Sequence, residues 1–306
     1  MSTDGQDHVP SVVGPLARNL KTVHLITKET IQAEPWKYDA KVHPIPWRQE
    51  QYEEVLSRPL VIGFILDDGV VKVHPPIERV LREVRQKLES AGHEVVNWDT
   101  TGHAQCIRIM VNVSNICVQN LSDTTIQDQF YLADNGEDIR RDIAAGGEPA
   151  IPHIEALLAR AKAAPVMSIY DYWQLNRQKV AAQQAQHKKW TDFRSPSGRA
   201  VDVLISPTMP HAAVPHRTCK WVGYTKVWNV LDYTAMVIPY GHVSRELDPH
   251  VAPEYVPRNE VDEWNWNLYD IDVMHGHPLS VQIVGKRLEE EKVLGAAKVI
   301  EQLLRK

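Results

Sequence analysis

Apolar and polar positions recur along this chain with two different periods, and each period predicts its own kind of element. Leu60–Leu66 in "PLVIGFILDDG" is an unbroken apolar run, the pattern of a strand buried on both faces of a sheet. Helical spacing follows: Ile77, Val80, Leu81, Val84 and Leu88 share one face, Glu78 and Arg82 stand four apart, and Gly92 marks the stop. "HEVVNWD" reads as a second strand, so residues 60–99 predict a right-handed β-α-β crossover. Three more apolar runs, Val201–Ser206, Ala235–Pro239 and Leu279–Val284, predict further strands. Helices are expected over Leu20–Ile31, 104–122, 151–163, from a Ser168 cap with Asp171 in capping-box position to near Phe193, and over Leu288–Leu304.

Strands separated by helices predict an α/β fold with a mixed, largely parallel central sheet and helices on both faces. Residues 35–59 carry Pro35, Pro44, Pro46 and Pro59 and are too irregular for a long element. The expected organisation is therefore an amino-terminal helix with a proline-rich arm (1–59) and one α/β domain (60–306). Val9–Leu16, apolar and turn-rich, has the profile of a buried connector rather than of a free end.

Composition narrows the function classes. A formal net charge of -5, a pI near 6.3 and no Lys/Arg run argue against a nucleic-acid partner. No apolar run reaches transmembrane length and no signal pattern opens the chain, so no membrane partner and a cytoplasmic location are expected. Cys106, Cys117 and Cys219, without CxxC spacing, suit a reducing compartment. Nine Trp and ten Tyr against three Phe give an aromatic surface that carries N–H and O–H groups, suited to clefts and interfaces as well as to cores.

Local motifs for chemistry are scarce. The chain has no GxSxG, GxGxxG, P-loop or HExxH, so no nucleotide, haem or flavin is expected and no cofactor is assigned. Asp67-Asp68-Gly69 offers paired carboxylates, but a turn is the favoured reading, and Gly146-Gly147 reads as a loop. Three histidines, His211, His242 and His277, fall beside predicted strand ends, where open sheets form ligand clefts. His275-Gly276-His277 has a chelating spacing, yet solvated loop histidines are the commoner outcome, and no metal site is assigned. Trp221, Tyr224, Trp228, Asn229, Asp232 and Tyr233 either line a small-molecule pocket or, since Trp228, Asp232 and Ala235 share helical spacing, pack as a short helix. Both readings stand at this point.

The stretches "VGPLARNL", "LVIGFILDDGVVKVHPPIERVLREV", "AGHEVVNWD", "VDVLISPTMPHAAVPH", "WNVLDYTAMVIP", "PRNEVDEWNWNLYD" and "PLSVQIVGKRLEEEKVLGAAKVIE" together resemble the amidase signature family, its acetamidase-type branch in particular. The resemblance covers nearly the whole chain but only the carboxyl-terminal half or so of an intact member. It implies an α/β/α sandwich, here a truncated one, and hydrolysis of carboxylic amides by a Ser–cis-Ser–Lys triad. That triad belongs to the amino-terminal half, and no position here matches it.

What the resemblance carries over is the wall of the substrate pocket: the loop Pro207–His211 with Thr208 and His211, the segment Tyr224–Asp232 with Tyr224, Trp228 and Asn229, and the turn before Leu279; Trp221 and Tyr240 are expected to join them in binding substrate. Tyr240-Gly241-His242 and His277 depart from the family pattern, and both departures add histidine. The expectation is a repurposed pocket performing proton-transfer chemistry on a small molecule, with His242, His277 or Asp232 as base. The alternative is an inert remnant acting as a binding or regulatory module, or a fragment of an ordinary carboxylic-amide hydrolase. A homodimer is expected through the surface that would meet the missing half.

Overall fold

A computed structural model of the chain describes residues 5–10, 12–110, 130, 133–163 and 166–305. Chain order runs α1 (Leu20–Gln32), α2 (Gln49–Leu56), β1 (Val61–Phe64), α3 (Pro75–Ser90), β2 (Glu94–Asn97), α4 (His103–Met110), α5 (Glu137–Gly146), α6 (Pro152–Ala163) and α7 (Ile169–Asp192). It continues through β3 (Val203–Pro207), α8 (Gly223–Leu231), β4 (Ala235–His242), α9 (Glu260–Asn267), α10 (Ile271–Met274), β5 (Pro278–Val284) and α11 (Glu290–Leu304).

The described strands form one mixed sheet in the order β2-β1-β3-β5-β4. β1 pairs parallel with β2 and β3, while β5 runs antiparallel to both β3 and β4. Two of the apolar runs predicted as strands, β1 and β3, lie inside the sheet with every residue buried, whereas the run at Ala235–Pro239 forms the edge strand β4. Gly63 in β1 is required by close packing, because a β-carbon there would sit 2.5 Å from Leu204 Cδ2. Residues 60–97 thus form a parallel strand–helix–strand unit, with Ile77, Val80, Leu81, Val84 and Leu88 of α3 buried. The fold is α/β, a mixed sheet flanked by helices.

The proline-rich arm contains a helix that its pattern hid. Pro44, Pro46 and Pro59 bracket α2 instead of interrupting it, which leaves eight residues free to coil. Its buried Tyr52 and Val55 belong to the main core. Gly295 in α11 lets the α2 backbone approach so closely that a β-carbon there would lie 2.7 Å from the Tyr52 carbonyl oxygen. Arg48 at the start of α2 reaches the buried Glu291 of α11 at 2.6 Å. α2 is thereby built into the same core as the sheet.

Other elements follow their local signals. Ser168 accepts from Asp171 N and caps α7, as its spacing predicts. Asn259 caps α9 through Asp262 N and Asp270 caps α10, two helices without a strong apolar period. α5 ends at Gly147 in left-handed conformation, φ 65°. Of the helix expected over 104–122, residues 111–122 lie outside the described residues, as does Cys117. No helix among the described residues is long and apolar enough to cross a membrane.

Candidate functional site

α8 forms because Tyr224, Val227, Trp228, Val230 and Leu231 bury one side of it. It stops at Asp232, which takes the left-handed conformation (φ 55°) that short polar side chains tolerate, while Tyr233 N donates back to Trp228 O at 3.0 Å. The helix is therefore a packed core element, and its last turn also lines a cavity. That cavity has a volume of about 630 Å³. Trp228, Asn229, Asp232 and Tyr233 meet there Lys179 and Gln183 of α7, Arg287 just beyond β5, and the amino-terminal segment from Asp7 to Pro10 with Val12.

Several of the polar groups are held in place by other parts of the chain. Gln183 Nε2 donates to Val230 O at 2.7 Å and Lys179 Nζ to His8 O at 2.6 Å, so α7 grips both the end of α8 and the amino-terminal segment. The Arg287 guanidinium pairs with Asp232 and donates to His43 Nε2 at 2.8 Å. His8 is buried, stacked on Phe130 at 4.6 Å, with Nδ1 3.0 Å from Tyr172 Oη. Burial, and then the charge of Lys179, lowers His8 to about 4, so it is a neutral imidazole at neutral pH. Burial also lowers Lys179, against the pull of Asp232 and Asp7, and pushes Tyr233 up to about 12. His8 Nε2, Trp228 Nε1 and Tyr233 Oη are buried without a hydrogen-bond partner among the described residues. The cavity offers donors and acceptors of both charges on an otherwise aromatic wall.

The remaining candidates do not join this cavity. Thr208 and His211 line a smaller cleft of about 320 Å³ at the carboxyl end of β3, with Pro278 and Ser280 opposite. Ser280 Oγ donates to Thr208 Oγ1 at 3.1 Å. His211 Nδ1 donates to Ala212 O at 2.7 Å, and burial lowers its pKa. Trp221 and Tyr224 are core residues: the Tyr224 hydroxyl donates to Val71 O at 2.7 Å and accepts from Asp68 N at 3.1 Å. Tyr240 lies in a third cavity of about 190 Å³ beside Leu20, Glu301 and Leu304.

His242, His277 and Asp232 do not form one constellation. Asp232 precedes β4 and His242 ends it, and at about 3.3 Å per residue the two ends of that strand stand roughly 23 Å apart. His242 is exposed and pairs across the ladder with Pro278, which places it beside His277, itself half-buried with Nδ1 unpartnered among the described residues. His275 Nδ1 accepts from Arg245 N at 3.3 Å. The Asp232 carboxylate is held by Arg287 through one of its oxygens. A shared proton-transfer site built from these three residues is excluded by the length of β4.

Asp67-Asp68-Gly69 is the turn its sequence suggests. Asp68 Oδ1 accepts from Val70 N and Val71 N at 2.8 and 2.9 Å, and Asp67 pairs with both terminal nitrogens of Arg258 at 2.7 and 3.0 Å. The two carboxylates point to different partners. Burial pushes Asp68 up to about 7.

Asp7, His8, Lys179, Gln183 and Arg287 were not among the residues singled out by sequence. Lys179 and Gln183, four apart on a long helix, are the one local trace of a polar stripe facing the cavity.

The chain matches the family model described as Amidase over residues 2–294. It belongs to the amidase family. Amidase 1 of Gibberella moniliformis is 52% identical over 304 residues, covering 99% of this chain and 54% of that protein. The acetamidase of Aspergillus oryzae is 36% identical over 307 residues, covering 99% of this chain and 53% of its own length. Among solved structures, a fatty acid amide hydrolase superposes with a TM-score of 0.82 at 26% identity, over 98% of this chain and 49% of that one. This amidase-family chain thus spans about half the length of the curated relatives it matches.

Proposed function

We propose that this chain forms a substrate-holding part of a carboxylic-amide hydrolase, with the cavity at the end of α8 receiving the amide group. The carrying observation is the convergence of Trp228, Asn229 and Asp232 with Lys179, Gln183 and Arg287 around about 630 Å³, within a chain matched to amidases along nearly its whole length. A carboxamide presents two N–H donors and one carbonyl acceptor. Asp232 and Asn229 accept from the first, while Asn229, Lys179 and Arg287 donate to the second. The volume suits a small ligand with a few fixed polar contacts.

In this reading the chain orients the amide, and bond cleavage draws on a nucleophile supplied elsewhere in the amidase fold. The serines beside the candidate clefts, Ser206 and Ser280, bond to Gln282 and Thr208, neither of which is a base that activates a hydroxyl for attack. The match to amidases along nearly the whole chain favours a part of an ordinary amide hydrolase over a repurposed pocket. Calorimetric titration of acetamide into the full chain tests the proposal. Saturable binding that weakens in Asn229→Ala supports it; absence of binding, or equal binding by the variant, refutes it.

A further inference from the structure

The polar cavity holds more positive charge than a neutral amide uses. Asp232 and Arg287 pair with each other, and Asp7, mostly exposed, faces Lys41 at 3.6 Å. Lys179 is left over. Its ammonium donates to His8 O at 2.6 Å and stands 5.8 Å from the centre of the Phe130 ring, but it makes no ion pair among the described residues. Burial has partly withdrawn it from water, and a charge so placed is costly until an anion balances it.

Donor arithmetic leads the same way. A carboxamide has one carbonyl oxygen, with two lone pairs. Asn229 and Arg287 suffice for it, since Arg287 keeps N–H groups beyond those given to Asp232 and His43. The remaining N–H groups of Lys179 then find no acceptor on a simple amide. Position supplies the rest. Gln183 donates to Val230 O at 2.7 Å, which sets that point of α7 against the end of α8 where Asn229 and Asp232 stand. Lys179 lies one turn earlier on α7, about 6 Å along the helix axis. A short run of methylenes between an amide and a second polar group spans that interval.

We propose that this chain takes amides that also carry a carboxylate, the monoamides of short dicarboxylic acids. The amide sits against Asn229, Asp232 and Arg287. The carboxylate pairs with Lys179, which is then the specificity-determining residue. The inference rests on the reading of the polar cavity given above and extends it to the class of substrate. A carboxylate is favoured over a second neutral group because only an anion balances the Lys179 charge.

Calorimetry of succinamate, succinamide and succinate against the full chain tests it, with acetamide as the reference. Succinamate and succinamide have the same length and differ in one terminal group. Wild type should bind succinamate at least about tenfold more tightly than succinamide, the worth of a charge-assisted hydrogen bond. The ratio should shrink as salt is raised. Lys179→Met should bring the ratio to about one and Lys179→Arg should keep most of it, whereas loss of a merely structural lysine would weaken both ligands alike. If Lys179→Met does not fold, the wild-type ratio and its salt dependence decide. Equal affinities in wild type, with acetamide still bound, overturn this inference and leave the proposed function standing. An unchanged ratio in Lys179→Met does the same. Succinate bound as tightly as succinamate shows no part for the amide group, and the inference falls. Failure of acetamide, succinamide and succinamate alike to bind overturns both readings.

Discussion

The two ends of β4 carry similar-looking sequence and have different physics. Before the strand lies "WNVLDYT" and after it "YGHV", each a polar and aromatic group flanking an apolar run. At the Asp232 end, three other parts of the chain close over those residues: α7, the amino-terminal segment and the turn beyond β5. At the His242 end, the chain turns outward. There the buried Asp248 accepts from Arg79 at 2.7 and 3.0 Å and from Ser244 N at 2.8 Å, while Arg79 also donates to the His242 carbonyl at 2.8 Å. One end is a concavity with unspent hydrogen-bonding capacity. The other is a corner where Arg79 and Asp248 tie the chain together. A residue type at a strand end becomes a site only where distant segments converge on it.

The comparison breaks most readily at the corner. Asp248→Ala removes the buried carboxylate from the largely buried Arg79, leaving it only the more exposed carboxylate of Glu83, and should cost about 2 kcal/mol in urea unfolding, with acetamide affinity unchanged in the folded protein. A loss of affinity as large as the loss of stability would show that the two ends are one unit. Asp232→Ala should do the reverse. Its ion pair with Arg287 is half-exposed, so stability should move by less than about 1 kcal/mol. Acetamide affinity should fall about tenfold, the magnitude of a hydrogen bond to a charged group.

Histidines sharpen the contrast in pH. His8 titrates near 4 in the folded chain and near 6.5 when unfolded, so the unfolded state binds more protons between those values. Its contribution to stability is full above pH 6.5, is lost as pH falls through that window, and levels off below 4. Asp68, pushed up to about 7 by burial, has the opposite slope, more stable as pH falls. Thermal melts of wild type and His8→Gln compared across this range cancel the Asp68 effect. The variant should lose less stability on acidification, and equal loss would count against a buried His8. The smallest effect belongs to His242→Ala, within about 0.5 kcal/mol of wild type and without change in acetamide affinity.

Much of the sheet was legible because apolar runs such as Leu60–Leu66 and Leu279–Val284 have no use except as buried strands. α2 was hidden by the prolines that frame it. α9 and α10 were hidden because their stability comes from Asn259 and Asp270 caps and a few buried contacts, not from a continuous apolar stripe. Within the candidate site, Trp228, Asn229 and Asp232 were visible since they are neighbours on one helix and its cap. Lys179, Arg287 and His8 were not, because they lie tens to hundreds of residues away in sequence. His242 and His277 drew notice by their rarity at such positions, a property that says nothing about enclosure.

The central claim is that a carboxamide is held at the Asp232 end of β4. Nitrogen–proton correlation spectra of the isotope-labelled chain, recorded during titration with acetamide, test it at residue resolution. The account predicts saturable shifts concentrated at Lys179, Gln183, Asn229, Asp232 and Arg287. Shifts centred instead on His242 and His277, or on Thr208 and His211, would contradict it.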